Sequence, residues 1–407
     1  MPKTNPLRTR FAAVLLAVTA GAALALLGAQ LASDPVSGSS SAQRDEATGT
    51  TPPSEPPRQS SAPPEKADKP DKPTGKTCAA IVESLSPRQR LAQILMVGVD
   101  PTSADSATKV AGEEGIGGIF LGGNETGLLV DDKLAGVHDA AALPLAVSVD
   151  DEGGRVQRVD ELDGDVPSAR EMARTMSVAE VHRLARERGA ALRERGVTID
   201  FAPVVDVTTQ PDEDVIGDRS FGADPAVVSK YAAAFAQGLQ ESGVLPVVKH
   251  FPGHGRASGD SHVATVSTPA LAELRKVDLL PYQKVLRSTR AAVMVGHMSV
   301  PGLTNGVPAT LSPATYRLLR GELAFDGITI TDDLGGMQAV SDRYPLPKAV
   351  LASLTAGADI AFWSSGEQHV DEVLDTLEQA VSDGTLRPER VSDSLTRVLR
   401  AKGACSA

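Results

Sequence analysis

Eight short apolar runs, rich in β-branched residues, recur through residues 78–405, and longer amphipathic segments separate them. The runs cover residues 93–100, 117–124, 145–152, 198–206, 244–250, 291–297, 327–333 and 358–365. Continuous apolar sequence is typical of strands buried on both faces of a parallel sheet, and the periodicity of segments 177–196 and 226–243 predicts helices between them. Eight strand–helix units in roughly 330 residues predict an α/β fold with a single (β/α)8 barrel of the TIM type. An open, doubly wound sheet is the alternative.

Polar residues end nearly all of these runs, and their positions predict where chemistry would take place. In a barrel of this type the active site lies at the carboxyl ends of the strands. Carboxylate and imidazole groups occupy six of these ends: Asp100, Asp150, Asp206, His250, His297 and Asp332. A single aspartate there is explained by turn formation, whereas six such groups favour a common site at one mouth of the barrel.

The first 77 residues differ in composition from the rest. Residues 1–32 carry Lys3, Arg8 and Arg10 ahead of an uncharged apolar stretch, which is the pattern of an export signal. The stretch is long enough to span a bilayer and lacks a clear cleavage site, so a retained membrane anchor and a cleaved signal peptide both remain open. Residues 33–77 are rich in Pro, Ser, Thr, Lys and Glu, which predicts a disordered linker. We therefore expect an exported protein with one folded domain, residues 78–407, and contact with the membrane only through the N-terminal segment 1–32.

The composition of the 407 residues restricts the partners of the chain. Hydrophobic residues make up 41%, enough for a large core, and the formal net charge is −12. This charge repels nucleic-acid phosphates, so we expect no nucleic-acid partner. Aromatic residues make up only 3%, so any aromatic side chain near a site is notable.

The two cysteines stand at the ends of the predicted domain, Cys78 at its start and Cys405 near its end. An even number of cysteines in an exported chain favours a disulfide, and the termini of a compact domain often lie close together. We therefore predict a Cys78–Cys405 bond.

The segment KHFPGHGRASGDSH, residues 249–262, carries three histidines. His250 and His254 are four residues apart, but the intervening proline and the glycines exclude the helix that would make them a metal pair. We expect neither a metal nor a cofactor. Asp260 stands two residues before His262, where a carboxylate can orient the imidazole and raise its pKa for proton donation.

The segment TITDDLGGM, residues 329–337, places Asp332 at the end of an apolar strand. A carboxylate at that position can attack or stabilise a cationic centre. Asp333 is the rival, and the alternation of side chains along a strand turns the two in opposite directions. We predict that Asp332 faces the site.

These segments together resemble family 3 glycoside hydrolases, in particular the β-N-acetylglucosaminidases that act on cell-wall sugars. The motifs that carry the resemblance are VDDEGGRVQR, FAPVVDV, IGDRSFGADP, KHFPGHG with DSH, GHMSVPGL and TDDLGGM, which span nearly all of the predicted domain. The resemblance implies that Asp332 is the nucleophile and that His262, assisted by Asp260, is the general acid/base. It also implies that six further residues bind the sugar or line the pocket: Asp150, Arg219, Lys249, His250, His297 and Met337.

A histidine as acid/base departs from the usual pair of carboxylates in retaining glycosidases. It removes a negative charge from the acceptor side, so phosphate as well as water remains open as the acceptor. Arg256 departs from many relatives, which have an acidic or small residue after KHFPGHG. It places positive charge near the expected entrance, where it either favours an anionic aglycone or lies in solvent.

The predicted activity is removal of terminal β-linked N-acetylglucosamine from peptidoglycan fragments through a covalent intermediate, by a monomer acting on a small carbohydrate or muropeptide. A β-glucosidase, another exo-glycosidase or a phosphorylase of the same family is the alternative. SATK at residues 106–109 matches the Ser-x-x-Lys motif of penicillin-recognising enzymes, but the partner motifs are absent from the sequence. A non-catalytic wall-binding protein is a further alternative, although the nucleophile and acid/base positions are filled.

Overall fold

The computed structural model describes residues 76–406, and eight strands form one parallel sheet in this part of the chain. The strands are β1 Leu95–Val99, β2 Gly118–Leu121, β3 Ala146–Val149, β4 Ile199–Asp200, β5 Leu245–Phe251, β6 Ala292–Val295, β7 Thr329–Thr331 and β8 Ala361–Trp363. Each predicted run overlaps one strand, and seven of the eight runs contain their strand completely; β5 extends one residue beyond its run, to Phe251. Consecutive strands pair from β1 to β7, and β8 pairs with β1. A parallel bridge between Ile330 and Ile360 joins the β7 and β8 ends, so the prediction of a TIM-type barrel is confirmed and the open sheet is wrong.

Fifteen α-helices precede, connect and follow these strands in the described part of the chain. They are α1 Cys78–Ser84, α2 Pro87–Ala92, α3 Ala104–Gly112, α4 Lys133–Ala140, α5 Asp160–Asp163, α6 Ala169–Thr175, α7 Val178–Glu194, α8 Pro225–Glu241, α9 Leu271–Leu274, α10 Leu279–Ser288, α11 Pro313–Arg317, α12 Gln338–Ser341, α13 Leu346–Ala356, α14 Val370–Ser382 and α15 Pro388–Ala401. Short 3-10 segments are found at Gly217–Arg219, Ala309–Leu311 and Glu367–His369, and α11 continues into a π-helical segment, Leu318–Glu322.

The two long helices α7 and α8 show why the sequence forms these elements. A capping box starts α7, since the Ser177 hydroxyl accepts from the N–H of Glu180 and the Glu180 carboxylate accepts from the N–H of Ser177. Asp224 caps α8, and Pro225 occupies its first turn, where a missing N–H costs nothing. Both helices bury one apolar face against each other and the barrel, which confirms the helices predicted for 177–196 and 226–243.

Strand β4 is much shorter than the run that predicted it. After Asp200 the chain leaves the regular ladder, because Pro203 has no N–H to donate. The chain stays beside β5 through a bridge between Val204 and Lys249 and a bond from the N–H of Val247 to the carbonyl of Ala202 at 2.9 Å. Residues 201–206 therefore lie at the mouth of the barrel as irregular backbone.

Three phenylalanines occupy the barrel interior beneath this mouth. The rings of Phe120, Phe201 and Phe362 come from β2, the end of β4 and β8, and their centroids lie 4.9–5.6 Å apart. All three are buried and line the cavity described below. A chain with few aromatic residues has thus placed three of them together at its mouth.

The two ends of the described chain are covalently joined. Cys78 and Cys405 form a disulfide with a Cα–Cα distance of 5.1 Å, as predicted, and Thr77 bridges Ser406 beside it. The predicted export segment (1–32) and linker (33–77) lie outside the described residues, apart from Lys76 and Thr77. Within residues 76–406, no helix has the length and hydropathy needed to cross a membrane.

Candidate active site

A cavity of about 570 Å³ opens at the carboxyl ends of the strands. Its walls contain seven of the nine residues proposed for catalysis or sugar binding: Asp150, Arg219, Lys249, His250, His262, Asp332 and Met337. The fold therefore brings together side chains that lie up to 187 positions apart, from Asp150 to Met337. Asp260 and His297 are not on the cavity wall, and both stand behind residues that are.

One side of the cavity is a cluster of alternating charges. Lys249, two residues before the end of β5, donates to Asp150 at 2.5 Å and to Glu152 at 2.6 Å. Arg219 makes a bidentate pair with the same Glu152 through bonds of 2.7 and 2.8 Å. Two cations and two carboxylates thus form one neutral cluster, whose polar atoms are suited to hydroxyl groups of a sugar.

Glu152 is the centre of this cluster, and the sequence prediction did not single it out. Burial acts to raise its pKa, but the charges and hydrogen bonds of Arg219 and Lys249 outweigh burial, and its pKa is lowered. The pKa values of Arg219 and Lys249 are raised, because the neighbouring carboxylates overcome the desolvation of both cations. All three groups are therefore charged at neutral pH.

Asp332 follows β7 and lies on the opposite side of the same cavity. It is 9% exposed, and its Oδ1 accepts from the N–H of Asp333 at 2.9 Å. Burial acts to raise its pKa, but the positive potential of His250 and His297 and that N–H lower it overall. Asp332 is therefore an ionised carboxylate with few hydrogen bonds, as a nucleophile requires.

Asp333 also borders the cavity, but its carboxylate is engaged in the turn that follows β7. Oδ1 accepts from the N–H groups of Gly335, Gly336 and Ser364 at 2.9–3.1 Å, and Oδ2 accepts from the Ser364 hydroxyl. Four donors on one carboxylate reduce its nucleophilicity. The geometry supports the choice of Asp332 over Asp333.

His262 lies on the loop that connects β5 to α9. Its Nδ1 lies 2.7 Å from Asp260 Oδ1, and its backbone N–H donates to the same oxygen at 2.9 Å. The pKa of Asp260 is lowered, because these bonds and the charge of His262 outweigh partial burial. The Asp260 contact fixes the ring by Nδ1, so Nε2 is the nitrogen free to carry a proton to or from a substrate.

Asp206 is a buried residue that organises this part of the mouth without lining it. Its Oδ2 lies 2.7 Å from His250 Nδ1, and its Oδ1 accepts from the backbone N–H of His254 at 2.6 Å. The side chain of His254, which also lines the cavity, reaches Ser261 in the His262 loop at 3.0 Å. Asp206 therefore fixes one cavity residue directly and the His262 loop through His254.

Three expectations about the mouth are corrected by the structure. Asp100 is exposed and binds Thr102, outside the cavity. His297 is fully buried, and its Nε2–H donates to the carbonyl of Asp333 at 2.9 Å, so it orients the backbone that follows β7 and does not line the pocket. Arg256 neither faces the cavity nor lies free in solvent.

Arg256 is instead paired with a buried carboxylate. Its guanidinium donates to Asp278 over 2.5–3.3 Å, and the Asp278 side chain has no exposed surface. Burial raises the pKa of Asp278, and Arg256 partly offsets that effect. Arg256 therefore stabilises the fold and is not available for an anionic aglycone.

Glu152 and His254 are the functional candidates that reasoning from the sequence missed. Glu152 stood within the VDDEGGRVQR motif at the end of a strand run, so its position was a signal. For His254 the sequence pattern suggests only a metal-ligand role, which the neighbouring proline and glycines exclude. The role of Glu152 depends on Arg219, 67 positions away, and that of His254 depends on Ser261, 7 positions away. The sequence alone does not identify these partners.

Comparison with known proteins shows the family of the chain. The model of the glycosyl hydrolase family 3 N-terminal domain matches residues 87–401. The chain belongs to glycoside hydrolase family 3. Its residues are 51% identical over 341 positions to the β-hexosaminidase LpqI of Mycobacterium tuberculosis, covering 81% of this chain and 87% of that relative.

Two solved structures of family 3 proteins are similar in fold. That of M. tuberculosis LpqI has a TM-score of 0.78 and 50% identity, covering 82% of this chain and 98% of its own. That of a family 3 β-N-acetylglucosaminidase from Paenibacillus sp. has a TM-score of 0.73 and 32% identity, covering 80% of this chain and 64% of its own. This family 3 chain is therefore a glycoside hydrolase, as its motifs predict.

Proposed function

We propose that the protein is a retaining exo-β-N-acetylglucosaminidase that removes terminal β-linked N-acetylglucosamine from peptidoglycan fragments. The observation that carries the proposal is the pairing of a buried ionised Asp332 with an Asp260-oriented His262 at the same cavity. The names of the two relatives above, a β-hexosaminidase and a β-N-acetylglucosaminidase, support the choice of sugar.

The first step forms a bond from an Asp332 oxygen to the anomeric carbon. The glycosidic C–O bond breaks, and the aglycone oxygen takes the proton from His262 Nε2. Asp260 stabilises the imidazole in the orientation that places its Nε2 proton toward the leaving group. The products are a covalent glycosyl-Asp332 and a neutral alcohol.

The second step returns the enzyme to its starting state. Water attacks the anomeric carbon while the now neutral His262 accepts one of its protons, and the Asp332–sugar bond breaks. Two inversions at the same carbon give net retention of the β configuration. Asp332 is again a carboxylate, and His262 is again protonated.

The charged cluster opposite Asp332 binds the sugar in this proposal. The carboxylate of Asp150 and the cations Lys249 and Arg219 offer acceptors and donors for hydroxyl groups. His250, whose Nδ1 is held by Asp206, offers its Nε2. Met337, 4% exposed, supplies apolar surface beside Asp332. The cavity walls thus have polar groups on one side and a nucleophile on the other.

We further propose that the enzyme acts outside the cytoplasm, where muropeptides with a terminal N-acetylglucosamine are released from the wall. The basic-then-apolar start of the sequence supports export. The disulfide between Cys78 and Cys405 supports an oxidising compartment.

A product assay with the full chain tests this proposal. Chromogenic β-N-acetylglucosaminide and β-glucoside are compared, each with and without phosphate, and the sugar product is followed by NMR. We expect release of β-N-acetylglucosamine first, with the glucoside much slower. Initial release of the α-anomer would refute retention, and N-acetylglucosamine 1-phosphate as the main product would identify the phosphorylase alternative.

A mechanism-based fluorosugar identifies the nucleophile directly. Mass spectrometry of the trapped enzyme is expected to find the sugar on the peptide that contains Asp332. Labelling of any other carboxylate contradicts the assignment.

A further inference from the structure

The loop that carries His262 is largely exposed, but one of its side chains is buried. Residues 262–265 are exposed, whereas Ser261 between Asp260 and His262 is only 1% exposed. Its hydroxyl lies 3.0 Å from His254 Nε2. Among the described residues, this is the side-chain hydrogen bond that joins the segment 259–265 to the barrel.

His254 is itself rigidly held. It is 2% exposed, and its backbone N–H donates to Asp206 at 2.6 Å. Burial and the nearby charge of His250 lower its pKa, so it is neutral and can either donate to the Ser261 hydroxyl or accept from it. The partner of Ser261 is therefore a fixed point of the barrel mouth.

The backbone around Ser261 is attached to the segment that follows the nucleophile. The carbonyl of Ser261 accepts from the N–H of Ala339 at 3.1 Å, and the carbonyl of His262 accepts from the N–H of Gln338 at 3.2 Å. Both donors are in α12, six and seven positions after Asp332. The acid/base loop is thus held on two sides, by His254 and by the nucleophile loop.

We propose that the Ser261–His254 hydrogen bond sets the position of His262 for proton transfer, which makes Ser261 and His254 positioning residues. The inference rests on the proposed acid/base role of His262. Two backbone bonds fix the distance of the loop from α12 but leave it free to rotate about that contact. The side-chain bond removes this freedom, because it holds the residue next to His262 from a different direction.

Kinetics with leaving groups of different acidity test the proposal. For a retaining enzyme kcat/KM reports the first step, in which the leaving group departs. A dinitrophenolate leaves as an anion and needs no proton, whereas an alkyl alcohol leaves only when an acid protonates its oxygen. Complete loss of an acid/base costs about 10²- to 10⁴-fold, so we expect Ser261→Ala to lose about 10- to 100-fold in kcat/KM on the alkyl substrate. On the dinitrophenyl substrate kcat/KM is retained, kcat falls because deglycosylation needs the base, and azide restores kcat.

Matched variants separate positioning from other effects. Ser261→Thr keeps a hydroxyl and is expected to retain activity on both substrates. Ser258→Ala removes a hydroxyl from the same loop, where it accepts from the N–H of Ser267, and is expected to behave as the wild type. His254→Gln gives the same leaving-group pattern as Ser261→Ala, and the double variant loses no more than the worse single one.

His262→Ala, measured alongside, distinguishes two kinds of failure. If His262→Ala shows the leaving-group pattern and Ser261→Ala loses activity equally on both substrates, or loses none, the positioning contact is refuted while the acid/base assignment stands. If His262→Ala lacks the pattern, both are refuted. A wild type without β-N-acetylglucosaminidase activity refutes the proposed function and this inference with it.

Discussion

Replacing Glu152 by glutamine removes one charge from the centre of the charged cluster formed by Asp150, Glu152, Arg219 and Lys249, while keeping the shape of the side chain. Glu152 makes two bonds to Arg219 and one to Lys249, and its side chain is 3% exposed. With Asp150 the cluster holds two positive and two negative charges. The variant leaves one positive charge without a partner in a buried site.

The cost of this change follows from burial. Removing one partner of a buried, hydrogen-bonded charge pair costs about 3–5 kcal/mol of folding free energy. We therefore expect Glu152→Gln to lose that amount at pH 7, and to raise KM because Lys249 and Arg219 lose their common anchor. Glu83→Gln, the same substitution at an exposed position, is expected to change stability by less than about 0.5 kcal/mol.

The pH dependence of the difference in unfolding free energy between the wild type and Glu152→Gln shows whether the ionised carboxylate is its cause. The folded pKa of Glu152 lies below its usual 4.5, so its contribution to stability is fully present above about pH 5.5 and is lost as the pH falls towards the folded value. Between pH 5.5 and 3.5 the unfolded chain takes up a proton there and the folded protein does not, so the contribution falls by about 1.4 kcal/mol. Because glutamine does not titrate, the stability difference between the wild type and the variant decreases by the same amount over this pH range.

Urea unfolding of the wild type and both variants at several pH values between 3.5 and 7 measures these quantities. Two results would refute the argument that Glu152 is an ionised anchor. One is a loss of unfolding free energy below about 1 kcal/mol for Glu152→Gln at pH 7. The other is a loss that stays the same as the pH falls. An unchanged KM would show that the cluster does not hold the sugar.

The remaining predictions concern catalysis and stability elsewhere. Asp332→Asn is expected to abolish the covalent intermediate and reduce kcat by at least about 10⁴-fold, with Asp333→Asn much less affected; the reverse order in a trapping experiment would exchange the two roles. Reduction of the disulfide, which closes a loop of 327 positions, removes about 5–6 kcal/mol on the chain-entropy model and lowers Tm by about 5–10 °C, while activity at moderate temperature persists; an unchanged Tm on calorimetry contradicts this. Arg256→Ala leaves its buried aspartate partner unpaired and is expected to cost about 2–3 kcal/mol in urea unfolding, with no change in KM for anionic aglycones; a KM change confined to such substrates would return Arg256 to the substrate entrance.

The sequence determined the barrel, and seven of the nine residues that it proposed for the site lie on the cavity wall. Parallel strands buried on both faces have to be continuous apolar runs, and strands that share one direction place their last residues at one mouth. The sequence alone therefore predicts that Asp150, His250 and Asp332 lie at the same mouth. The pairing of Cys78 with Cys405 followed in the same way, because only two cysteines exist and they stand at the domain ends.

The tertiary structure decided which polar groups are partners. Arg256 directly follows KHFPGHG in sequence, which suggests a place at the substrate entrance. Its carboxylate partner is Asp278, 22 positions away, and this pairing gives Arg256 a structural role instead. Lys249 and Arg219 both bind Glu152, although they lie 97 and 67 positions away in sequence. Three consecutive acidic residues, 150–152, follow β3, and the direction of each side chain decides which of them binds both cations. Apolar periodicity is set by local geometry and is visible in a single chain, whereas hydrogen bonds between loops depend on distances of a few tenths of an ångström that only the packed barrel fixes.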